Sequence, residues 1–386
     1  MSLLNRSSAI GLAMLLRAGL MLVISAMAYR TQAPEDAAAF FQCIYLQAIA
    51  IAFLSASGFF RVQSKRSEDE VSSYLSAMTL LVLPSVALPL SVALLVDEYA
   101  ARLPELLIAW VGAVATAYAA PISAIVMKSR GPFAAFLPAC AAAVLALLTL
   151  LLVGDAGAGR LTPYLALSGF QVTNILLLLA SDRKAVRTRL PGLSRLRAGL
   201  PWDNIREAFV VGACNVLNML LVFAIREAWA ERAGADIAAA VFLTLRISDS
   251  AMQLFHMVLS GHPVITRLIA GRWSLRAQVA MTALSVGALL LLGMNAAALG
   301  AIAFAVAAQI ALDVSRYPWS TGFLYQMAHF DLRNYVIFVV LQPVIALLLA
   351  FVPMARGAPE GLMIFMAISV SIGAVISTLQ ARRAAR

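Results

Sequence analysis

The chain has 386 residues, of which 62% are hydrophobic and only 12% charged, whereas about a quarter of the residues of a soluble globular protein are charged. This composition excludes a soluble protein. The formal net charge of +10 comes without any basic stretch interleaved with base-stacking aromatic residues, so nucleic acid is not predicted as a partner.

Apolar runs of about 20 residues, the length that spans a bilayer, recur along the whole chain. They predict an all-α polytopic membrane protein with about twelve transmembrane helices, arranged as two six-helix bundles. The first six spans are predicted near residues 8–29, 36–60, 72–96, 103–127, 131–153 and 161–181, and the second six near 204–226, 236–260, 274–294, 296–322, 334–353 and 360–381. The domains are then 1–181, a basic cytoplasmic linker 182–203, and 204–386. The turn around Asn295 either joins two spans or bends one.

Lys and Arg are retained on the cytoplasmic side of short loops, and they set the predicted orientation. With the N-terminus inside, the opposite side receives only Arg30, Arg102, Arg160, Arg226, Arg232 and Arg356. Both termini are therefore predicted to be cytoplasmic, in a multi-pass protein of the bacterial inner membrane. Arg17 interrupts the first apolar run, which favours an uncleaved first helix over a signal peptide.

An internal similarity links the two halves. The segment Glu35–Phe41 opens the second span, and the similar segment Asp236–Phe242 opens the eighth, 201 residues later. Parallel repeats of this kind are a transporter arrangement, with the substrate site between the repeats near the bilayer midplane.

Charged residues inside the bilayer are rare and usually functional. Arg17 and Arg246 lie roughly 14 and 15 Å into their spans at 1.5 Å per residue. Asp249 follows Arg246 by three residues on the same helix face, so a structural ion pair is the alternative to a binding role. Gln253 and His256 continue this polar face of the eighth span. The further residues predicted to line the same cavity, each explained about equally by hydrogen bonding between helices, are Asn215, Asn218, Gln42, Gln47, Gln171 and Asn174.

Two other groups of polar residues carry less weight. Asp313 and Arg316 repeat the spacing of three and are interpreted as an interfacial pair, although a place in the cavity stays open. Cys43, Cys140 and Cys214 fall within spans without paired spacing, so neither a disulfide nor a metal site is predicted. No cofactor is expected, and coupling to an ion is left open.

Arg246-Ile247, followed by an apolar run to Pro263 with Arg267 beyond, resembles the eighth helix of flippases in the multidrug/oligosaccharidyl-lipid/polysaccharide (MOP) superfamily. The exit Gly58-Phe59-Phe60-Arg61 of the second span supports this resemblance, which is closest to the O-antigen and polysaccharide flippases, relatives of the lipid II flippase. The resemblance implies a V-shaped fold whose central cavity binds a lipid-linked pyrophosphate through cationic side chains, here Arg17 and Arg246.

The expected function is therefore flipping of an undecaprenyl-pyrophosphate oligosaccharide for polysaccharide biosynthesis by alternating access. Its partners would be that substrate, membrane lipids and polysaccharide polymerase or assembly proteins. The nearest alternative is a cation-coupled multidrug exporter, which would need unpaired buried carboxylates. A glycosyltransferase or polymerase is disfavoured because the predicted exit loops are short and no P-loop, metal motif or catalytic triad is present, so the chain is not expected to be an enzyme.

Overall fold

The computed structural model describes residues 19–54, 68–153, 159–184, 186, 202–259, 274–328 and 331–384. Within these ranges every regular element is an α-helix, which confirms the predicted all-α class. Nine segments of the described residues are long and apolar enough to cross a membrane. The chain is thus a multi-pass membrane protein, in which helices satisfy the backbone hydrogen bonds that lipid cannot.

One compact unit comprises Met1–Gln32 and Gln42–Val216, and a second comprises Ala33–Phe41 and Leu217–Arg386. The division crosses two helices. The predicted linker 182–203 lies largely outside the described residues, and the predicted domain boundaries remain a prediction.

The helices of the first unit follow the predicted spans closely. In chain order they are α1 (Gly19–Thr31), α2 (Pro34–Leu54), α3 (Glu68–Ser85), α4 (Ala87–Leu95), α5 (Asp97–Ala100), α6 (Leu103–Arg130), α7 (Pro132–Val153) and α8 (Thr162–Ser181).

The span predicted over 72–96 is divided, because α3 ends at Ser85 and α4 begins at Ala87. Pro89 has no N–H to donate to the Ser85 carbonyl four residues earlier. The Ser85 side chain lies at this break. Its hydroxyl donates to the Val82 carbonyl at 2.6 Å, and the Trp110 indole donates to its Oγ at 3.0 Å. The span predicted near 72–96 thus contains a break, and its segment Met78–Leu95 is long and apolar enough to cross a membrane.

The second unit contains the C-terminal part of α9 (Trp202–Ala233) and the helices that follow it. These are α10 (Ala235–Leu259), α11 (Ser274–Met294), α12 (Ala296–Leu299), α13 (Ala301–Ala328), α14 (Leu332–Ala355) and α15 (Gly361–Ala384). Gly234 alone separates α9 from α10 and has φ of +92°, a backbone conformation that glycine adopts without steric cost. The turn at Asn295 joins two helices rather than bending one, since α11 ends at Met294 and α13 begins after the short α12.

The order of helices repeats between the two units. The starts of α2, α6, α7 and α8 precede those of α10, α13, α14 and α15 by 198 to 201 residues. The four-residue helices α5 and α12 also correspond, each lying just before the long helix. This order supports the internal repeat that the two Ala-rich segments indicated.

Arg226 and Arg232, which the charge count placed on the side opposite the cytoplasm, lie in α9 and contact neighbouring helices. The Arg226 guanidinium lies 4.4 Å from the centroid of the Phe242 ring and is buried. Arg232 donates to the Ala355 carbonyl at 3.1 Å, where a positive charge favours the C-terminus of α14. Trp229, fully buried, donates to the Ala358 carbonyl at 2.8 Å.

Candidate functional site

The charged residues of α10 and α13 form one network in the second unit. An Arg316 Nη lies 3.0 Å from Asp249 Oδ1 on α10, while the other Nη lies 3.8 Å from Asp313 Oδ1 on its own helix. The same guanidinium donates to Ser248 Oγ at 2.8 Å. Arg316 therefore joins two helices through two carboxylates and one hydroxyl.

Asp313 receives its hydrogen bonds from neutral donors. Ser248 Oγ donates to Asp313 Oδ1 at 2.8 Å, and Gln309 Nε2 donates to the same oxygen at 2.8 Å. Ser248 thus accepts from Arg316 and donates to Asp313. The arginine makes its closer ion pair with Asp249, so Asp313 is the less neutralised of the two acids.

The arginine of the network is buried, whereas its two carboxylates are partly exposed. The Arg316 side chain is 7% exposed, whereas those of Asp249 and Asp313 are 42% and 43% exposed. Two carboxylates share one guanidinium, which leaves one negative charge in excess when both are ionised. A partly exposed site with this excess of negative charge attracts a cation.

Helices α10 and α13 pack against each other, and both contain small buried residues. Ala238, Ala239, Ala240, Ala305 and Ala308 are buried, and small side chains let membrane helices approach closely. The ion pair between Arg316 and Asp249 crosses the interface between the two helices.

Asp249 forms an ion pair with Arg316, a partner that its spacing from Arg246 did not indicate. Arg246 is half-buried on α10, and its pairing with Asp249 stays a prediction. Asp313 and Arg316, interpreted from the sequence as an interfacial pair, do contact each other, but the closer partner of Arg316 comes from the other helix. Spacing along one helix reveals only partners on that helix.

Not every predicted cavity residue is placed. Arg17 lies outside the described residues, and Gln253 and His256 lie on α10 with their side chains outside the description. Asn215 and Asn218 are half-buried on α9, one in each unit. The shared cavity of Arg17 and Arg246 remains a prediction.

Gln47 and Gln171 pair within the first unit. Gln47 Nε2 donates to Gln171 Oε1 at 2.7 Å and to the Ala109 carbonyl at 3.0 Å. The two side chains are nearly fully buried and belong to α2 and α8, with α6 between them. They satisfy each other, which is the structural alternative raised for them from the sequence.

Gly112 of α6 makes room for these amides. A Cβ at this position would overlap Gln171 Oε1 and lie 2.5 Å from Gln47 Nε2. Gly112→Ala is expected to lower the free energy of unfolding by about 1–3 kcal/mol through overpacking, measured by thermal unfolding of the purified protein. Gly169→Ala on α8 is the matched control, because nothing lies within 4 Å of its Cβ and alanine favours a helix. Equal stability of the two variants would contradict the close packing.

Gln42 and Asn174, the remaining predicted residues of the first unit, have unsatisfied atoms. Both polar atoms of the Gln42 side chain and Asn174 Oδ1 are buried and have no hydrogen-bond partner among the described residues. In the part of the chain that the structure describes, no cluster of three or more His, Cys, Asp or Glu side chains could hold a metal ion.

A buried ion pair in the first unit was not singled out from the sequence. Glu105 is completely buried, and Arg160 Nε lies 2.5 Å from its Oε1. Arg160 also donates to the Ala101 carbonyl at 3.3 Å. Because 55 residues separate the two charges, no local spacing could have indicated the pair.

No family model matches the chain, and no curated protein matches its sequence. Solved structures do match its fold. A MATE transporter in the straight conformation aligns with a TM-score of 0.58 at 14% identity, covering 98% of this chain and 96% of that one. A MOP superfamily transporter from Pyrococcus furiosus aligns with a TM-score of 0.58 at 13% identity, covering 98% of this chain and 95% of that one. The eukaryotic MATE transporter AtDTX14 aligns with a TM-score of 0.56 at 13% identity, covering 99% of this chain and 98% of that one. The chain has the fold of MATE transporters, which belong to the MOP superfamily.

Proposed function

We propose that this protein is an inner-membrane transporter that exports cationic amphiphilic solutes in exchange for protons or a monovalent cation. The observation that carries this proposal is the network of Asp249, Asp313 and Arg316, where accessible carboxylates surround a buried guanidinium. An approaching ligand meets the acids first. A cation is attracted there, and an anionic phosphate is repelled.

The similar structures support the same choice. One of them is described as a multidrug resistance MATE family transporter of the MOP superfamily, and it aligns with a TM-score of 0.53 at 13% identity, covering 95% of this chain and 94% of that one. The sequence had favoured the flippase over the cation-coupled exporter because each acid has an arginine three residues away on its own helix. In the structure both acids contact the same arginine, Arg316, so the described ion pairs give two carboxylates one guanidinium between them.

Flipping of a lipid-linked oligosaccharide is the second candidate. Arg246 lies near the middle of α10, and a guanidinium is well suited to a pyrophosphate because of its planar set of donors. The Pyrococcus furiosus transporter, described as having a binding pocket of reversed polarity that suggests a different function, indicates that this fold is not restricted to one substrate charge. With this function, polymerase and assembly proteins would be the partners.

One experiment compares the two functions in the same proteoliposomes. The purified protein is reconstituted and supplied either with a permanently charged aromatic ammonium dye or with a fluorescent undecaprenyl-pyrophosphate sugar. We expect dye transport that follows an imposed proton or sodium gradient, without movement of the lipid between leaflets. Lipid flipping without dye transport would overturn the proposal in favour of the flippase.

A further inference from the structure

The helices α6 and α8 of the first unit lie side by side and run in the same direction. Ser168 Oγ of α8 donates to the Ile108 carbonyl of α6 at 2.8 Å. Much further along α6, Ser129 Oγ donates to Asp182 Oδ2, just beyond the end of α8, at 2.7 Å. Later residues of α6 therefore lie beside later residues of α8, as in a parallel pair of helices.

This register places Thr116 and Asn174 in one layer. Gly112 lies against Gln171, and Thr116 and Asn174 follow them by four and three residues, about one helical turn each. Thr116 Oγ1 and Asn174 Oδ1 are both buried, and neither has a hydrogen-bond partner among the described residues. An unsatisfied buried polar atom costs about 1–3 kcal/mol, so two in one layer call for a shared ligand.

Pro121 leaves a third acceptor free next to Thr116, the carbonyl of Ala117. In a regular helix the residue at 121 would donate its N–H to the carbonyl of Ala117, but proline has none. Ala117 is buried, with 1% of its surface exposed, so bulk solvent does not reach it. Carbonyls freed by proline in membrane helices are commonly satisfied by ordered water.

We propose that a water molecule is bound between α6 and α8 by Thr116 Oγ1, Asn174 Oδ1 and the Ala117 carbonyl. Water can donate to the two carbonyl oxygens and accept from the threonine hydroxyl, and a buried water typically makes about three hydrogen bonds. It would satisfy the carbonyl that Pro121 leaves without a helical donor.

The charges nearby favour water over a cation. The acidic residues of α6 and of the end of α8 are Glu105 and Asp182. Glu105 lies eleven residues before Thr116, roughly 16 Å along the helix, and is paired with Arg160. Asp182 lies eight residues after Asn174, roughly 12 Å away, and contacts Ser129 and Arg130. Neutral oxygens alone are left in the layer.

The test is a double-mutant cycle on the purified full-length protein in lipid nanodiscs. Thr116→Val and Asn174→Leu each remove one partner of the water and are expected to lower the Tm by about 2–4 °C. The double variant removes both side-chain partners and leaves only the Ala117 carbonyl, and we expect a loss smaller than the sum of the two. If each single change raises the Tm and the increments add, the oxygens are merely unsatisfied and no water is bound.

Thr149→Val on α7 is the matched control. Its hydroxyl donates to the Leu145 carbonyl at 2.9 Å, a helical carbonyl, so little change in Tm is expected. The cycle is repeated in sodium, potassium and choline chloride. A rise in Tm specific to one metal cation and lost in Asn174→Leu would overturn the proposal in favour of a cation site.

Radiolytic hydroxyl-radical labelling of the wild-type protein keeps the proposal testable if the variants do not fold. Bound water generates radicals next to buried side chains, so the peptide that contains Thr116 should be oxidised although the residue is shielded from solvent. An unlabelled peptide would contradict the bound water.

Discussion

Asp313→Asn is expected to abolish gradient-driven transport while the protein still folds and inserts. The asparagine oxygen can still accept from Ser248 and Gln309, which donate to the aspartate at 2.8 Å each. The substitution therefore removes the charge with little change in packing. One carboxylate then remains for one guanidinium, and no negative charge is left to exchange between cations.

Dye efflux from proteoliposomes under an imposed gradient measures this loss. We expect a decrease of at least about tenfold, which corresponds to 1.4 kcal/mol, at an unchanged membrane abundance. Glu231→Gln is the control, because that carboxylate is exposed on α9. Full gradient-driven efflux by Asp313→Asn would contradict the assigned role of the acid.

Arg316→Met is expected to have the second large effect. It leaves Asp249 and Asp313 without the buried cation that joins them, and removal of one partner of a buried pair costs about 3–5 kcal/mol. The cost should lie at the lower end, since the two remaining carboxylates are 42% and 43% exposed. The two carboxylates would then repel each other without a shared cation, and gradient-driven transport should fall together with stability.

A second substitution distinguishes charge from packing. Arg316→Met combined with Asp249→Asn returns the network to one net negative charge, so thermal stability and transport should both recover in part. Unfolding temperature and dye efflux are measured on the same preparations. A double variant as defective as Arg316→Met would show that the packing of Arg316 matters rather than its charge.

The helical fold could be predicted from sequence because lipid imposes a simple rule, in which an apolar run of about 20 residues becomes a helix. The run from 131 to 153 became α7 over Pro132–Val153. The rule does not predict a break inside an apolar run. At Ser85 the missing N–H of Pro89 divides the helix without any change in hydropathy.

The candidate site was predicted only in part. Asp249 was identified because it follows Arg246 by three residues on one helix face, and that spacing gave no indication of Arg316. Arg316 lies 67 positions further along and is reached through the packing of α10 on α13. Gln47 and Gln171 were likewise identified individually, yet their mutual hydrogen bond joins residues 124 apart. Contacts between helices depend on which faces pack together, and a single sequence does not specify them.

The division between Asp313 as the exchanging acid and Asp249 as the anchor of Arg316 can be tested by comparing two variants of equal net charge. Arg316→Met with Asp249→Asn retains Asp313 and its donors Ser248 and Gln309, whereas Arg316→Met with Asp313→Asn retains only Asp249. The measurement is the number of protons or sodium ions moved per dye molecule in proteoliposomes. This assignment of roles predicts coupled movement in the first variant and none in the second. Equal coupling in both variants, or coupling in the second alone, would contradict it.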